Sequence, residues 1–306
     1  MEIKEKLKLT IIIPTKNRSF KLKSLLNNIS GQSCLPDQLI IVDASDNPEI
    51  EINKNYMGLK IDYKHVDTPG LTKQRNIGIK MIKEDIDIVC FLDDDVEFEK
   101  DSIRNMMKYW DGADKKLGGA VFNILNENKR SIFIFVKEFF LTGSRKTGIV
   151  LKSGYNSMIH PAEKTDYVKW LSGGVTVWRK EVFNEFDYDE WYSDYGFCED
   201  LDFSYRVGKK YKLAVVAEAG LYHIKAKSSR INNILLGKSQ IINRYHFIQK
   251  DKYFSETCFF WAVIGNMLEN IFRGVITLKV DLFIISLGNI LGLVELIKPK
   301  VLGGKI

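Results

Sequence analysis

Two hydrophobic periods alternate along the first hundred residues. Leu9–Pro14 (LTIIIP) and Gln38–Val42 (QLIIV) are short, nearly continuous β-branched runs, the pattern of strands buried on both faces. Ile61–Val66 (IDYKHV) is read as a third strand and Ile86–Leu92 (IDIVCFL) as the next. Between them, Ser19–Ile29 (SFKLKSLLNNI) and Thr72–Ile82 (TKQRNIGIKMI) repeat apolar residues at helical spacing, with Ser19 as the expected N-cap. Strand and helix in alternation predict an α/β fold: an open, mostly parallel sheet with right-handed crossovers, flanked by helices.

The pattern weakens from about 120 to 160. Ser131–Leu141 (SIFIFVKEFFL) fits a helix or a strand, and TGSRKTGIVLKSGYNS after it reads as a loop. Order returns at Trp170–Trp178 (WLSGGVTVW), with a helix start expected at RKEVF. Beyond His223 stand two apolar runs, Phe259–Leu268 and Val280–Val294. Each is shorter than the roughly 20 residues a bilayer span needs. Asp281, Asn289 and Glu295 also break up the second. Amphipathic helices are expected there, as core or partner contacts or lying in a membrane interface. The chain is thus read as an α/β portion, residues 1–224, and a helical extension, residues 225–306.

Charge separates the same two portions. Residues 224–306 hold 12 Lys or Arg against 5 Asp or Glu, whereas residues 1–223 are almost balanced. A basic excess can face nucleic acid or an anionic membrane. The apolar content beside it favours a peripheral membrane contact or a homo-oligomer, and no nucleic-acid partner is expected. Cys34, Cys90, Cys198 and Cys258 lie far apart without a CxxC pair, which fits a reducing cytosol and no disulfide scaffold. The N-terminal MEIKEKLKLT lacks an apolar core of signal-peptide length, so secretion is not expected.

Candidate chemistry gathers where ligands collect in such sheets, at the carboxyl ends of strands. Thr15 follows the first strand, Asp43 the second, and Asp93, Asp94 and Asp95 the run VCFL. Adjacent carboxylates at a ligand edge suit a hard divalent cation. Asp93 and Asp95 are then the inner pair, with Asp94 toward a sugar hydroxyl or the ion's waters; the bland alternative is a solvated acidic turn. In FCEDLDFSYR, Glu199 and Asp200 stand at a helix start, either as helix-capping charges or as a base kept ionised there. Asp202 and Arg206 are spaced for an ion pair. His223 closes the α/β portion and as a neutral imidazole could complete the metal site, while His65, His160 and His246 are read as ordinary residues. Lys73 and Arg75 in GLTKQRNIG suit a phosphate or base edge, or a solvated helix face.

In order and spacing, TIIIPTKNR, IIVDASD, LTKQRNIGI, FLDDDVEF, WLSGGVTVWRKEVF, CEDLDFSYRV and His223 resemble the family-2 glycosyltransferases, over roughly residues 7–224. The resemblance implies the GT-A fold and an inverting, metal-dependent transfer from a nucleotide-sugar donor, a UDP-sugar first. It implies a donor edge formed by Pro14, Thr15, Asp43 at the base, Arg75, Asp93 and Asp94. Asp93 and Asp95 of a DxD motif, with His223, would hold Mn²⁺ or Mg²⁺. Asp200 would be the catalytic base with Glu199 beside it, and Trp170, Gly173 and Gly174 would shape the sugar or acceptor pocket. A glycan or polyprenyl-linked acceptor at the cytoplasmic face of the membrane, in bacterial surface-polysaccharide synthesis, fits the basic tail. Two rival readings are a nucleotidyltransferase, which the glycine-free loop PTKNRS disfavours, and a non-catalytic nucleotide-sugar-binding scaffold.

Overall fold

The computed structural model describes residues 6–48, 55–127, 133–192, 196–224 and 232–297. Lys225, Lys227 and Arg230 of the basic tail lie outside the described residues. The chain divides into two compact units, one of residues 1–130 and 159–226, the other of residues 131–158 and 227–306. The segment 131–158, which sequence patterning leaves inside the α/β portion, thus groups with the C-terminal helices.

A ten-stranded sheet forms the first unit. Its strands are β1 (Leu9–Thr15), β2 (Gln38–Asp43), β3 (Asn55–Tyr56), β4 (Leu59–His65), β5 (Ile88–Leu92), β6 (Val96–Phe98), β7 (Leu117–Ile124), β8 (Asp166–Val168), β9 (Val175–Arg179) and β10 (Lys212–His223). The order is β3-β4-β2-β1-β5-β9-β7-β10-β6, with β8 also paired to β10. β4, β2, β1 and β5 run parallel, as do β7 and β10. β9 is inserted antiparallel between β5 and β7. The sheet is therefore mostly parallel, as the alternating pattern predicts.

Ile11, Ile12 and Ile13 are all fully buried, which requires cover on both faces of β1. Of the helices beside the sheet, α2 (Leu71–Lys80) packs on β1 and β2, α1 (Ser19–Ser30) on β6, α3 (Ser102–Asp111) on β10, and α5 (Glu199–Gly208) on β7 and β10. α2 approaches β1 so closely that a side chain at Gly78 would overlap Ile12. Two expectations change at helix starts. Arg18, not Ser19, occupies the N-cap of α1, and its side chain makes no capping bond. RKEVF forms only a short 3₁₀ turn, Lys180–Asn184.

The second unit holds α4 (Ile134–Phe139), α6 (Asn233–Gln249), α7 (Glu256–Thr277) and α8 (Val280–Ile297). The ambiguous run Ser131–Leu141 is thus helical where described. α7 and α8 are 22 and 18 residues long, extending past the apolar runs that mark them in the sequence. Among the described residues, α8 is long and apolar enough to cross a membrane by length and composition.

Candidate active site

The parallel strands β1, β2 and β5 deliver their carboxyl ends to one edge, with Thr15 in register with Asp43. Beyond β5 the chain turns through the acidic triplet into β6, which pairs with the end of β10 and sets His223 opposite Val96. The Asp95 carbonyl accepts the Ile224 N–H at 2.7 Å, fixing the two segments together. The three carboxylates then diverge. Asp94 is buried, accepting the Thr15 hydroxyl at 2.7 Å and Arg18 Nη1 at 2.9 Å. Burial pushes its carboxyl upward, outweighing those two hydrogen bonds.

Asp95 lies 3.0 Å from His223 Nε2 and 3.6 Å from Arg18. Burial acts to raise its carboxyl too, but the His223 hydrogen bond and the charges of His223, Arg18 and Lys21 leave it below the usual range. Asp93 is the most exposed of the three at 36%. Its N–H donates to the Gly174 carbonyl at 2.8 Å, and its carboxylate packs on Gly174 at 3.6 Å from Arg75.

Arg75 links this triplet to the start of α5. It is 1% exposed, held 3.1 Å from Glu199 and 3.6 Å from Asp93, with the Tyr188 ring centroid 5.1 Å from its guanidinium. It remains charged. Glu199, 5% exposed, is pushed up to about 8 by burial and by Asp200 next to it, against the opposing pull of Arg75. Neither acid caps α5. Cys198 is its N-cap, in a left-handed conformation (φ +73°), and that turn aims Glu199 inward. Asp200 accepts the Gly173 N–H and the Leu201 N–H, both at 2.7 Å. Burial raises its carboxyl while these donors pull it down. Gly173 and Gly174 therefore separate two carboxylates, Asp200 against the first and Asp93 against the second. Asp202 and Arg206 form the expected pair at 3.1 Å.

Some expected residues stand apart. Asp43 is 1% exposed, and its oxygens accept from Ser45 N–H and Oγ and from the Tyr63 hydroxyl. It braces the loop after β2. Pro14 is buried within β1, and Trp170 is 9% exposed, leaving little open ring face. His160 is buried and bonded to Ser172 and the Ile124 N–H, and burial lowers it to about 4, so it stays neutral.

Sequence patterning passes over Arg18, although it sits in the quoted PTKNR motif. It also misses Gln74, whose Nε2 donates to the carbonyls of Thr15 and Val42 and ties two strand ends together. Gln74 is buried by the packing of α2 on β1 and β2, which nothing in the local sequence marks.

No three His, Cys, Asp or Glu side chains form a ready metal cage among the described residues. The donor set still fits a hard cation. Asp95 Oδ1 and His223 Nε2 lie 3.0 Å apart, about the spacing of two neighbouring ligands each ~2.1 Å from one octahedral ion. Asp93 supplies a third, solvent-facing carboxylate nearby in sequence.

Residues 10–161 match the family model described as Glycosyl transferase family 2. The uncharacterized glycosyltransferase YwdF of Bacillus subtilis (strain 168) is 32% identical over 109 residues, which is 35% of this chain and 40% of that protein. Less than half of that relative's length is therefore matched. Solved structures share the fold at low identity. S. aureus TarS 1–349 in complex with UDP-GlcNAc gives a TM-score of 0.58 at 16% identity, covering 90% of this chain and 76% of that one. The mannosyltransferase PcManGT from Pyrobaculum calidifontis, in complex with GDP-Man and Mn²⁺, gives 0.61 at 11% identity, covering 95% and 88%. The fold is GT-A.

Proposed function

The chain belongs to glycosyl transferase family 2, and from that premise we propose that it moves a sugar from a nucleoside diphosphate donor to an acceptor hydroxyl with inversion. One observation carries the chemistry. A carboxylate aimed by two backbone N–H groups, Asp200, sits across a two-glycine turn from the acidic end of β5.

The anomeric C–O bond to the diphosphate breaks as the acceptor oxygen bonds the same carbon from the opposite face. Asp200 takes the hydroxyl proton, and the diphosphate departs with the bonding electron pair. Such a base is worth about 10²–10⁴-fold in rate. Burial raises both carboxyls, and hydrogen bonding tells them apart: Asp200 alone accepts the Gly173 and Leu201 N–H groups, while Glu199 rests on Arg75. Glu199, buried on Arg75, is the positioning member. Asp95 and His223, with Asp93, would hold Mn²⁺ or Mg²⁺, which would supply charge stabilisation to the departing diphosphate. Thr15, Arg18 and Asp94 form the donor edge, and Asp43 acts through the loop it braces.

UDP is the first donor nucleotide to test. The acceptor is a hydroxyl of a glycan or polyprenyl-linked glycan in bacterial surface-polysaccharide synthesis at the cytoplasmic face of the membrane, with residues 225–306 as the membrane contact. The test is Asp200→Asn: titration calorimetry should give UDP–Mn²⁺ affinity within about twofold of wild type, while transfer falls at least 100-fold. Unchanged turnover removes Asp200 from the mechanism.

A further inference from the structure

Within the second unit, α6 and α8 pack through their smallest residues. A side chain at Gly237 would overlap the Ile285 carbonyl and meet Asn289 N at 2.9 Å, and one at Gly288 would overlap the Ile234 carbonyl. Gly292 faces Ile241 in the same seam. Asn289 is fully buried there, its Nδ2 donating to the Gly237 carbonyl at 2.8 Å and to Gln240 at 3.2 Å. Glycines four apart and a buried amide make up the inner face of α8.

Its outer face is the opposite. Phe283, Leu287, Ile290 and Val294 recur at i, i+4, i+7 and i+11, all exposed. On α7, Ile264, Leu268, Ile271 and Val275 repeat the same spacing and are also exposed. α4 lies along α7, with the Trp261 indole N–H donating to the Phe139 carbonyl at 2.9 Å and Lys137 paired to Glu269 at 3.2 Å. It adds exposed Phe135, Val136 and Phe139. A helix in water turns its apolar stripe inward and its polar one outward. Small residues inside with large apolar ones outside is the arrangement of helices whose surroundings are hydrocarbon.

The turn between α7 and α8 sharpens the contrast. Leu278 is 87% exposed in a left-handed conformation (φ +51°), a position glycine ordinarily fills. Ile276, Val280 and Lys279 flank it.

We propose that α4, α7 and α8 form one lipid-docking face that lies in the headgroup–acyl boundary of an anionic bilayer, with the Leu278 turn as its inserted tip. This rests on the membrane contact read for residues 225–306, adds the segment 131–158 to it, and is independent of the transfer chemistry. Charge selects the occupant. Segments 131–158 and 227–306 hold 15 Lys or Arg against 6 Asp or Glu. Two copies meeting here would bring like charges together, whereas anionic headgroups complement them. Polar pairs at both ends of the α6–α8 seam, Asn233 with Asp281 at 2.8 Å and Lys238 with Glu295 at 2.6 Å, keep α8 on α6 and favour lying in the interface over spanning.

The experiment is vesicle flotation of the full chain with phosphatidylcholine alone and with added phosphatidylglycerol, comparing wild type with Leu278→Gly/Ile276→Gln. Glycine suits the left-handed turn, so the variant keeps its fold while losing the tip, and matching thermal melts check this. Wild type should float with anionic vesicles at least tenfold more than with neutral ones, with binding weakened by salt. The variant should bind at least tenfold more weakly, since one buried leucine side chain alone is worth about that factor. No flotation, flotation equal on neutral vesicles, or a variant floating like wild type each overturns the proposal. So does a dimer by light scattering that the variant dissociates, which would make a second copy the occupant. Calorimetric UDP–Mn²⁺ binding in the same preparations reports on the donor site separately.

Discussion

Replacing Gly174 with alanine separates backbone strain from the position of one carboxylate. Gly174 adopts φ +77°, where an L side chain costs about 1–2 kcal/mol. The added Cβ would overlap Asp93 Oδ2 and Cγ outright and stand 2.9 Å from Oδ1. The Asp93 main chain cannot retreat, because its N–H is anchored 2.8 Å from the Gly174 carbonyl. The carboxylate must therefore rotate away by roughly 1 Å or more, losing its place 3.6 Å from Arg75.

Two readouts follow. The strain should lower the melting temperature by about 2–8 °C. A reacting group displaced by about 1 Å costs on the order of 100-fold in turnover, so transfer from a UDP-sugar should fall by that factor, with UDP–Mn²⁺ affinity by calorimetry falling alongside. A variant that melts lower yet binds UDP–Mn²⁺ and turns over like wild type would show that Asp93 does no work at the donor. A variant indistinguishable in every assay would refute the geometry itself.

Removing Arg18 tests what balances the triplet. Arg18→Gln leaves Asp94 and Asp95 without a guanidinium 2.9 and 3.6 Å away, so Mn²⁺ affinity without nucleotide, read from the resonance signal of free Mn²⁺, should rise about four- to tenfold. Unchanged or weaker binding counts against the assignment. Glu199 sets a pH dependence of stability. Its folded value of about 8 lies above the ordinary 4.5, so the folded chain holds a proton that the unfolded chain releases. That contribution is complete below about 4.5 and is lost as pH rises through about 8, at up to ~1.4 kcal/mol per pH unit. Glu199→Gln should flatten the melting temperature across that window; an identical slope in wild type and variant would place the titration elsewhere.

The parallel core was legible because β1, β2 and β5 are apolar on both faces and alternate with helices of clear period. Local chemistry misled at single positions. Serine is the favoured N-cap, yet Arg18 takes that place, and its guanidinium faces Asp94. Ser131–Leu141 is mostly apolar, its two charges Lys137 and Glu138 adjacent, so no period distinguishes helix from strand; its helix is fastened by Trp261, more than a hundred residues away. α8 extends past the run Val280–Val294 to Ile297, and Asn289, which breaks that run's apolar pattern, bonds across to α6 from within the helix. The site was legible as a set of residue types at strand ends, not as contacts. Nothing in IIVDASD reveals that Ser45 and Tyr63 will occupy both oxygens of Asp43. The pairing of Asp95 with His223 spans 128 residues of chain.

Three like charges at the end of one buried strand persist because the fold gives each a different partner. Asp93 faces Arg75, Asp94 is enclosed by Thr15 and Arg18, and Asp95 is shared between His223 and Arg18. Arg18 is the shared element and the more exposed one, about one-third exposed while Arg75 is enclosed. A divalent ion held by Asp95, as proposed, would compete with that guanidinium for the same carboxylate, since like charges repel at this range. A donor diphosphate would relieve that competition by offering Arg18 a new anion. On this reasoning, metal and nucleotide should bind as a coupled pair, and the coupling should disappear with the Arg18 side chain.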